Sequence, residues 1–176
     1  MTSFLLSALA RKYRGATLDA FRAVHGHGWL VWEPGVWKPP TKDGGTLTAM
    51  RMPTPAPTAG EALALALQPR VPGAGQVTVG RASTSDIEIN DATLSQTHLL
   101  LMEAKPGEWT VRDAGSKNGS WVDGIQLQAG APLPLSDGAR IQAAQVVLTF
   151  YAPDGLFKRL QAWAPAITPL PLGTLK

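Results

Sequence analysis

Between Glu61 and Phe150 the apolar residues fall into short runs separated by turn residues, and this pattern constrains the fold more than anything else in the chain. Leu63, Leu65 and Leu67 alternate with alanines at the period of two that a strand requires. Further strand signals follow at 77–80, 87–89, 98–102, 109–112, 120–122, 140–142 and 146–150. Turn chemistry divides them, as in Asp113-Ala114-Gly115, Asp123-Gly124 and Asp137-Gly138. Val122-Asp123-Gly124-Ile125 predicts a hairpin, because Asp-Gly suits the primed turns that match strand twist. Many short strands at this spacing predict an all-β sandwich or barrel.

The flanks read differently. Phe4, Leu5, Ala8, Leu9 and Lys12 stand at helical spacing over 3–14, and Gly15 interrupts them. Thr17 offers a cap for a second helix with Leu18, Phe21 and Val24 on one face, which His25-Gly26-His27-Gly28 ends. Trp29, Trp32 and Trp37 then crowd into nine residues; they are expected to pack on the sandwich and fix the N-terminal segment to it, a docking surface being the other reading. Residues 38–60 are rich in Pro, Thr and Gly, which is the composition of an extended linker. After the last strand, 154–163 predicts a short helix with Leu156, Phe157, Leu160 and Trp163 on one side, followed by a loose tail. The expected organisation is an N-terminal extension over 1–59, a strand-rich domain over 60–152, and a C-terminal helix and tail over 153–176.

Charge and composition exclude several functions. Residues 1–60 carry seven Lys/Arg against three Asp/Glu, whereas 61–152 carry six against nine. A nucleic-acid domain concentrates positive charge on its folded part, so none is expected here, and Arg11, Lys12, Arg14 and Arg22 read as a solvated helix face, contact with acidic lipid or nucleic acid being the weaker reading. With no cysteine, disulfides and thiolate metal sites are ruled out. His25-Gly26-His27 falls short of the three or four ligands zinc requires, so no metal and no cofactor are expected. The apolar start lacks a preceding basic residue, and no run reaches the ~18 apolar residues of a membrane span, so the expected location is cytoplasmic, without membrane contact.

Four polar pieces interrupt the strand pattern: Gly80-Arg81; Ser85-Asp86-Ile87 with Ser95-Gln96-Thr97-His98; Gly115-Ser116-Lys117-Asn118-Gly119-Ser120; and Val122-Asp123-Gly124. They fall between strands, where a rigid scaffold presents loops to a ligand. A phosphate monoester carries about −1.5 to −2 charge and strong acceptor oxygens. Arg81 supplies a planar fork of donors for it, Ser95 a hydroxyl, and Asn118 a donor and an acceptor suited to a peptide backbone. Backbone N–H groups over 115–117 are expected to add donors, with Gln96 and Lys117 at the rim. Asn118 also reads as an Asn-Gly turn residue.

The ordered set Gly-Arg, Ser-x-x-His, Asn-Gly and x-Gly, spaced over about forty-five residues, resembles the forkhead-associated (FHA) family, and the resemblance covers roughly half the chain. The resemblance implies a sandwich of two twisted sheets with recognition loops at one end. It implies that Arg81 and Ser95 contact a phosphate, that Asn118 holds the peptide beside a phosphothreonine, and that Gly80, His98, Gly119 and Gly124 are structural. Three departures stand out: Gln96 where the family often has Arg, Lys or Asn; Lys117 where Thr or another polar residue is common; and Ser120 and Asp123 where Thr and Asn are frequent. None removes the Arg81–Ser95–Asn118 set.

The implied function is a phosphothreonine-peptide-binding adaptor or regulator downstream of Ser/Thr protein kinases, and not an enzyme, since no nucleophile–base pair, paired-carboxylate motif or Walker-type loop is present. The implied partners are phosphothreonine-containing proteins, such as a Ser/Thr kinase or its substrate. A phosphate-independent assembly role for the same fold is the alternative. Thr41, Thr46, Thr48, Thr54 and Thr58 add a third reading, an intramolecular phosphothreonine ligand.

Overall fold

In the computed structural model, residues 2–35 and 61–163 are described. The expected linker, its five threonines, Trp37 and the C-terminal tail lie outside them. The elements run β1 (Ser3–Leu5), α1 (Leu6–Lys12), α2 (Leu18–His25), β2 (Trp29–Trp32), β3 (Leu63–Ala66), β4 (Val77–Gly80), β5 (Ile87–Glu88), β6 (Leu99–Lys105), β7 (Glu108–Asp113), β8 (Ser120–Val122), β9 (Ile125–Gln126), β10 (Leu133–Pro134), β11 (Arg140–Ala143), β12 (Val146–Tyr151) and α3 (Pro153–Ala162).

They build two sheets. One has seven strands in the order β1-β3-β2-β12-β11-β8-β9, the other five in the order β10-β7-β6-β4-β5. Neighbours are antiparallel except β4 and β5. The main core lies between the sheets, where Leu30, Leu65, Val79, Leu99, Leu101, Ile141 and Leu148 are each 1% exposed or less. Each such side chain contributes about 1.5–3 kcal/mol by leaving water. At the β8–β9 hairpin, Asp123 (φ 49°) and Gly124 (φ 83°) both take positive φ, as the Asp-Gly reading requires.

A second core lies on the outer face of the seven-stranded sheet. The side chains of β2 and β3 alternate, and both faces are buried. Leu30, Trp32, Leu63 and Leu65 point into the sandwich, whereas Trp29, Val31, Ala64 and Ala66 meet a helical layer. The alanines leave room there, so Leu6, Leu9, Phe21, Leu156 and Leu160 pack directly over the sheet. The tryptophan segment therefore does more than pack against the sandwich: Trp29–Trp32 is one of its strands, between β3 and β12.

Polar ties lock this layer. The Arg22 guanidinium of α2 grips the Asp154 carboxylate of α3 through two hydrogen bonds. Arg159 of α3 donates to both oxygens of Glu33 (2.6 and 3.0 Å) and to the Tyr151 hydroxyl. Burial alone would raise the Glu33 pKa, but Arg159 and the Thr149 hydroxyl hold it below the ordinary carboxylate value. Gln161 donates to the Tyr13 carbonyl at 2.8 Å.

Two expectations for the N-terminal helices are corrected. Helix does not begin at residue 3: Ser3–Leu5 is drawn onto the free edge of β3, in register with Leu63–Leu65. The helix starts at Leu6 and buries Leu6, Ser7, Leu9 and Ala10, leaving Ala8 and Lys12 exposed, because the strand fixes the rotation at which the helix begins. In α2 the Thr17 hydroxyl accepts from the Ala20 N–H as predicted, but Phe21 and His25 are buried while Val24 is 61% exposed. His25 takes the inward place because Phe4, Tyr13, Phe21 and Trp29 surround its ring.

Candidate functional site

The loops after β4, before β6 and after β7 meet at one end of the sandwich, joined by hydrogen bonds. Arg81 N–H donates to the Ser95 carbonyl (2.9 Å), and Ala82 N–H donates to that of Gln96 (3.0 Å). Such proximity needs a glycine at position 80. A Cβ there would stand 2.1 Å from the Gln96 carbonyl oxygen.

The Lys117 N–H donates to the Ser95 hydroxyl oxygen (3.0 Å), and Asn118 Nδ2 donates to the Thr93 carbonyl (2.7 Å). These bonds place Arg81, Ser95, Lys117 and Asn118 on one connected ridge. Gln96 sits beside it with an exposed side chain. The Ser95 hydroxyl only accepts here, so its own proton is available to a ligand. Arg81 and Lys117 are exposed, and neither forms an ion pair among the described residues.

His98 is fully buried beneath the ridge. Its Nδ1 accepts from the Ser95 N–H (3.0 Å) and its Nε2 faces the Gly119 carbonyl (3.1 Å). That pairing requires a neutral ring with the proton on Nε2. Burial lowers the His98 pKa, against the smaller opposing pulls of the Gly119 carbonyl and Asp113. Gly119 itself has φ +78°, so the left-handed residue of the Asn-Gly pair is the glycine and not Asn118. Gly124 lies away from the ridge, in the β8–β9 turn.

One residue that sequence reasoning treated only as a turn former organises the whole β7–β8 loop. The Asp113 carboxylate, 5% exposed, accepts from the N–H groups of Gly115 (2.8 Å) and Ser116 (2.6 Å), and from the hydroxyls of Ser116 (2.7 Å) and Ser120. Burial alone would raise its pKa, but these donors hold it below the ordinary carboxylate value. This corrects the expectation that the N–H groups over 115–117 add donors for a ligand, because those of Gly115 and Ser116 are taken by Asp113 and that of Lys117 by the Ser95 hydroxyl. Asp113 followed by Gly115 and Ser116 is an Asx-turn signature, which was the available sequence signal. Thr93 was likewise missed. Its N–H and hydroxyl bond Asp91, and its carbonyl holds Asn118.

The histidine pair of the N-terminal segment lies in the aromatic cluster under the helical layer, away from this ridge. Among the described residues no three His, Cys, Asp or Glu side chains are placed to hold a metal. No helix among them is long and apolar enough to cross a membrane.

Two packed sheets with the polar loops gathered at one end agree with the sandwich that the FHA resemblance implies. The family model of the FHA domain matches residues 77–144, from the start of β4 to the β11–β12 turn, which is less than half of the chain. The chain is similar to the E3 ubiquitin-protein ligase rnf8-A of Xenopus laevis, with 34% identity over 76 residues, 41% of this chain. It spans only 14% of that relative's length. Among solved structures it is similar to the FHA domain of an Arabidopsis thaliana hypothetical protein, at 26% identity and TM-score 0.44 over 51% of this chain and 73% of the other. It is also similar to the N-terminal FHA domain of S. cerevisiae Rad53p in complex with a phosphothreonine peptide, at 23% identity and TM-score 0.41 over 48% and 73%.

Proposed function

We propose that the ridge binds phosphothreonine peptides and that the protein acts as an adaptor or regulator downstream of Ser/Thr kinases rather than as an enzyme. The observation that carries this reading is the set of groups left available on a rigid frame. The Arg81 guanidinium and Lys117 ammonium meet no anion among the described residues, and the Ser95 hydroxyl proton meets no acceptor there. Arg81 and Ser95 are assigned to the phosphate, Lys117 and Gln96 to its rim, and Asn118 to the peptide backbone through Oδ1, since its Nδ2 is held by Thr93. The Rad53p domain named above was solved with a phosphothreonine peptide.

Calorimetric titration of phosphothreonine, phosphoserine and unmodified forms of a degenerate peptide pool tests it. Arg81→Ala is expected to weaken phosphothreonine binding by about 2 kcal/mol or more, roughly 30-fold. Equal binding of modified and unmodified peptides, or binding indifferent to Arg81→Ala, would instead favour the phosphate-independent assembly role.

The intramolecular reading draws support from where the described flanks lie. Glu33 N–H donates to the Val147 carbonyl (3.0 Å), and Trp32 is in register with Leu63 and Leu148. The chain therefore leaves at Gly35 and returns at Glu61 on the recognition-loop end of the sheet, close to Ala144 and Gln145. A phosphothreonine at position 41, 46, 48, 54 or 58 would be presented at high effective concentration. Kinase-treated wild type is then expected to bind external peptide more weakly than a variant with all five threonines changed to valine, and equal binding would exclude the reading.

A further inference from the structure

The opposite end of the sandwich carries a second feature. On β6 the inward phase runs Leu99, Leu101, Glu103, so a carboxylate stands where the sandwich opens, in register with Trp109 of β7. Glu103 accepts from the Gly107 N–H (2.8 Å), and no Lys or Arg among the described residues lies within ion-pair distance of it. Lys105 pairs instead with Glu108 at 3.6 Å. Beside Glu103 opens a cleft of about 210 Å³, walled by Leu67, Val77, Trp109 and His27. It is smaller than the ~300–1,000 Å³ of pockets that enclose drug-sized ligands, and it suits one long side chain.

We propose that this cleft takes a lysine or arginine side chain of a partner protein, its aliphatic stem on Leu67, Val77 and Trp109 and its cation on Glu103. The charge balance selects this occupant. Glu103 is the one ionisable acid lining the cleft, and His27 does not oppose a cation there, because burial and the neighbouring His25 push its pKa down to about 4. An indole wall adds attraction for a cation. An acidic side chain would meet Glu103 with like charge, and a purely apolar one would leave it with no countercharge.

The cleft lies at the start of β4, whereas Arg81 follows its end, about one strand length of ~13 Å away. Both contacts are therefore available to one partner at once, and this inference stands whether or not the ridge binds phosphate.

The test is NMR titration of the full chain with n-butylguanidinium, using butyrate and n-butanol as probes of similar length. Saturable shifts at the Trp109 indole and the Gln76 and Val77 amides are expected with the cation alone, leaving the amides of Arg81, Ser95 and Asn118 in place. Glu103→Gln, which keeps an acceptor for Gly107, is expected to weaken the cation about tenfold. Absence of saturable shifts, equal response to n-butanol, or an unchanged affinity in Glu103→Gln would overturn the proposal. So would cation binding that emerges only after residues 164–176 are removed, since the chain's own tail would then be the occupant.

Discussion

Replacing Asp113 by alanine removes the acceptor for four hydrogen bonds at once. Hydrogen bonds to a charged group are worth about 1.5–3 kcal/mol each, which would exceed the whole stability of many domains if simply summed. Two effects reduce the loss. The variant no longer buries a carboxylate, which costs several kcal/mol. Gly115 is exposed, so its N–H recovers a partner from water. What remains is the fully buried Ser120 hydroxyl and the half-buried Ser116 N–H, at about 1–3 kcal/mol for each unsatisfied group. The expected net loss at pH 7 is about 3 kcal/mol. Asp113→Asn keeps one acceptor for the backbone groups and is expected to lose about half as much.

Urea unfolding followed by tryptophan fluorescence gives both values from the midpoint at constant slope. The pH dependence supplies an independent check. Because the folded-state pKa lies below the ordinary 3.8, the Asp113 contribution is present above that value and is lost as pH falls through the folded pKa. The gap between wild type and Asp113→Ala must therefore close in acid. A loss under 1 kcal/mol at pH 7, or a gap that persists in acid, would refute the view of this carboxylate as the organiser of the loop.

Two further outcomes follow from the geometry. His27 has its pKa pushed down to about 4 from 6.5, so stability is expected to fall as pH drops from 6.5 toward 4, and Tm against pH should be flatter over that window in His27→Phe. An unchanged slope would remove His27 from the account. Gly80→Ala places a methyl 2.1 Å from the Gln96 carbonyl, so the loop must shift; a Tm drop corresponding to about 2 kcal/mol and weaker phosphothreonine binding are expected, and a wild-type Tm would show that the loop yields freely.

The strand pattern was legible because each turn carried its own chemistry, most clearly at Asp123-Gly124, where both residues take the positive φ that the dipeptide favours. β10 was not, since Leu133–Pro134 lies among prolines, which read as loop. Trp29–Trp32 hid for the opposite reason. A strand buried on both faces loses the alternation that marks one, and its four residues are apolar throughout. On the ridge, side chains that project toward a ligand could be picked out by type and order. Of the braces below them, His98 was named through the resemblance and Asp113 showed only as a turn former, while Thr93 was missed because it holds Asn118 through a backbone carbonyl whose position depends on two loops folding against one another.

The strand order also sets a schedule for folding. β2 and β3 can pair with each other early, but β2 reaches its second neighbour only when β12, at Val146–Tyr151, has been made. Until then Leu30 and Trp32 have no opposing β12 edge, and the Trp29 face lacks the cover of Leu156 and Leu160. On the ribosome the N-terminal third therefore waits, sticky and half-built, for almost the last strand of the sandwich. Such long-range closure places the chain among slow folders, and the waiting intermediate is where chaperone dependence and aggregation should concentrate.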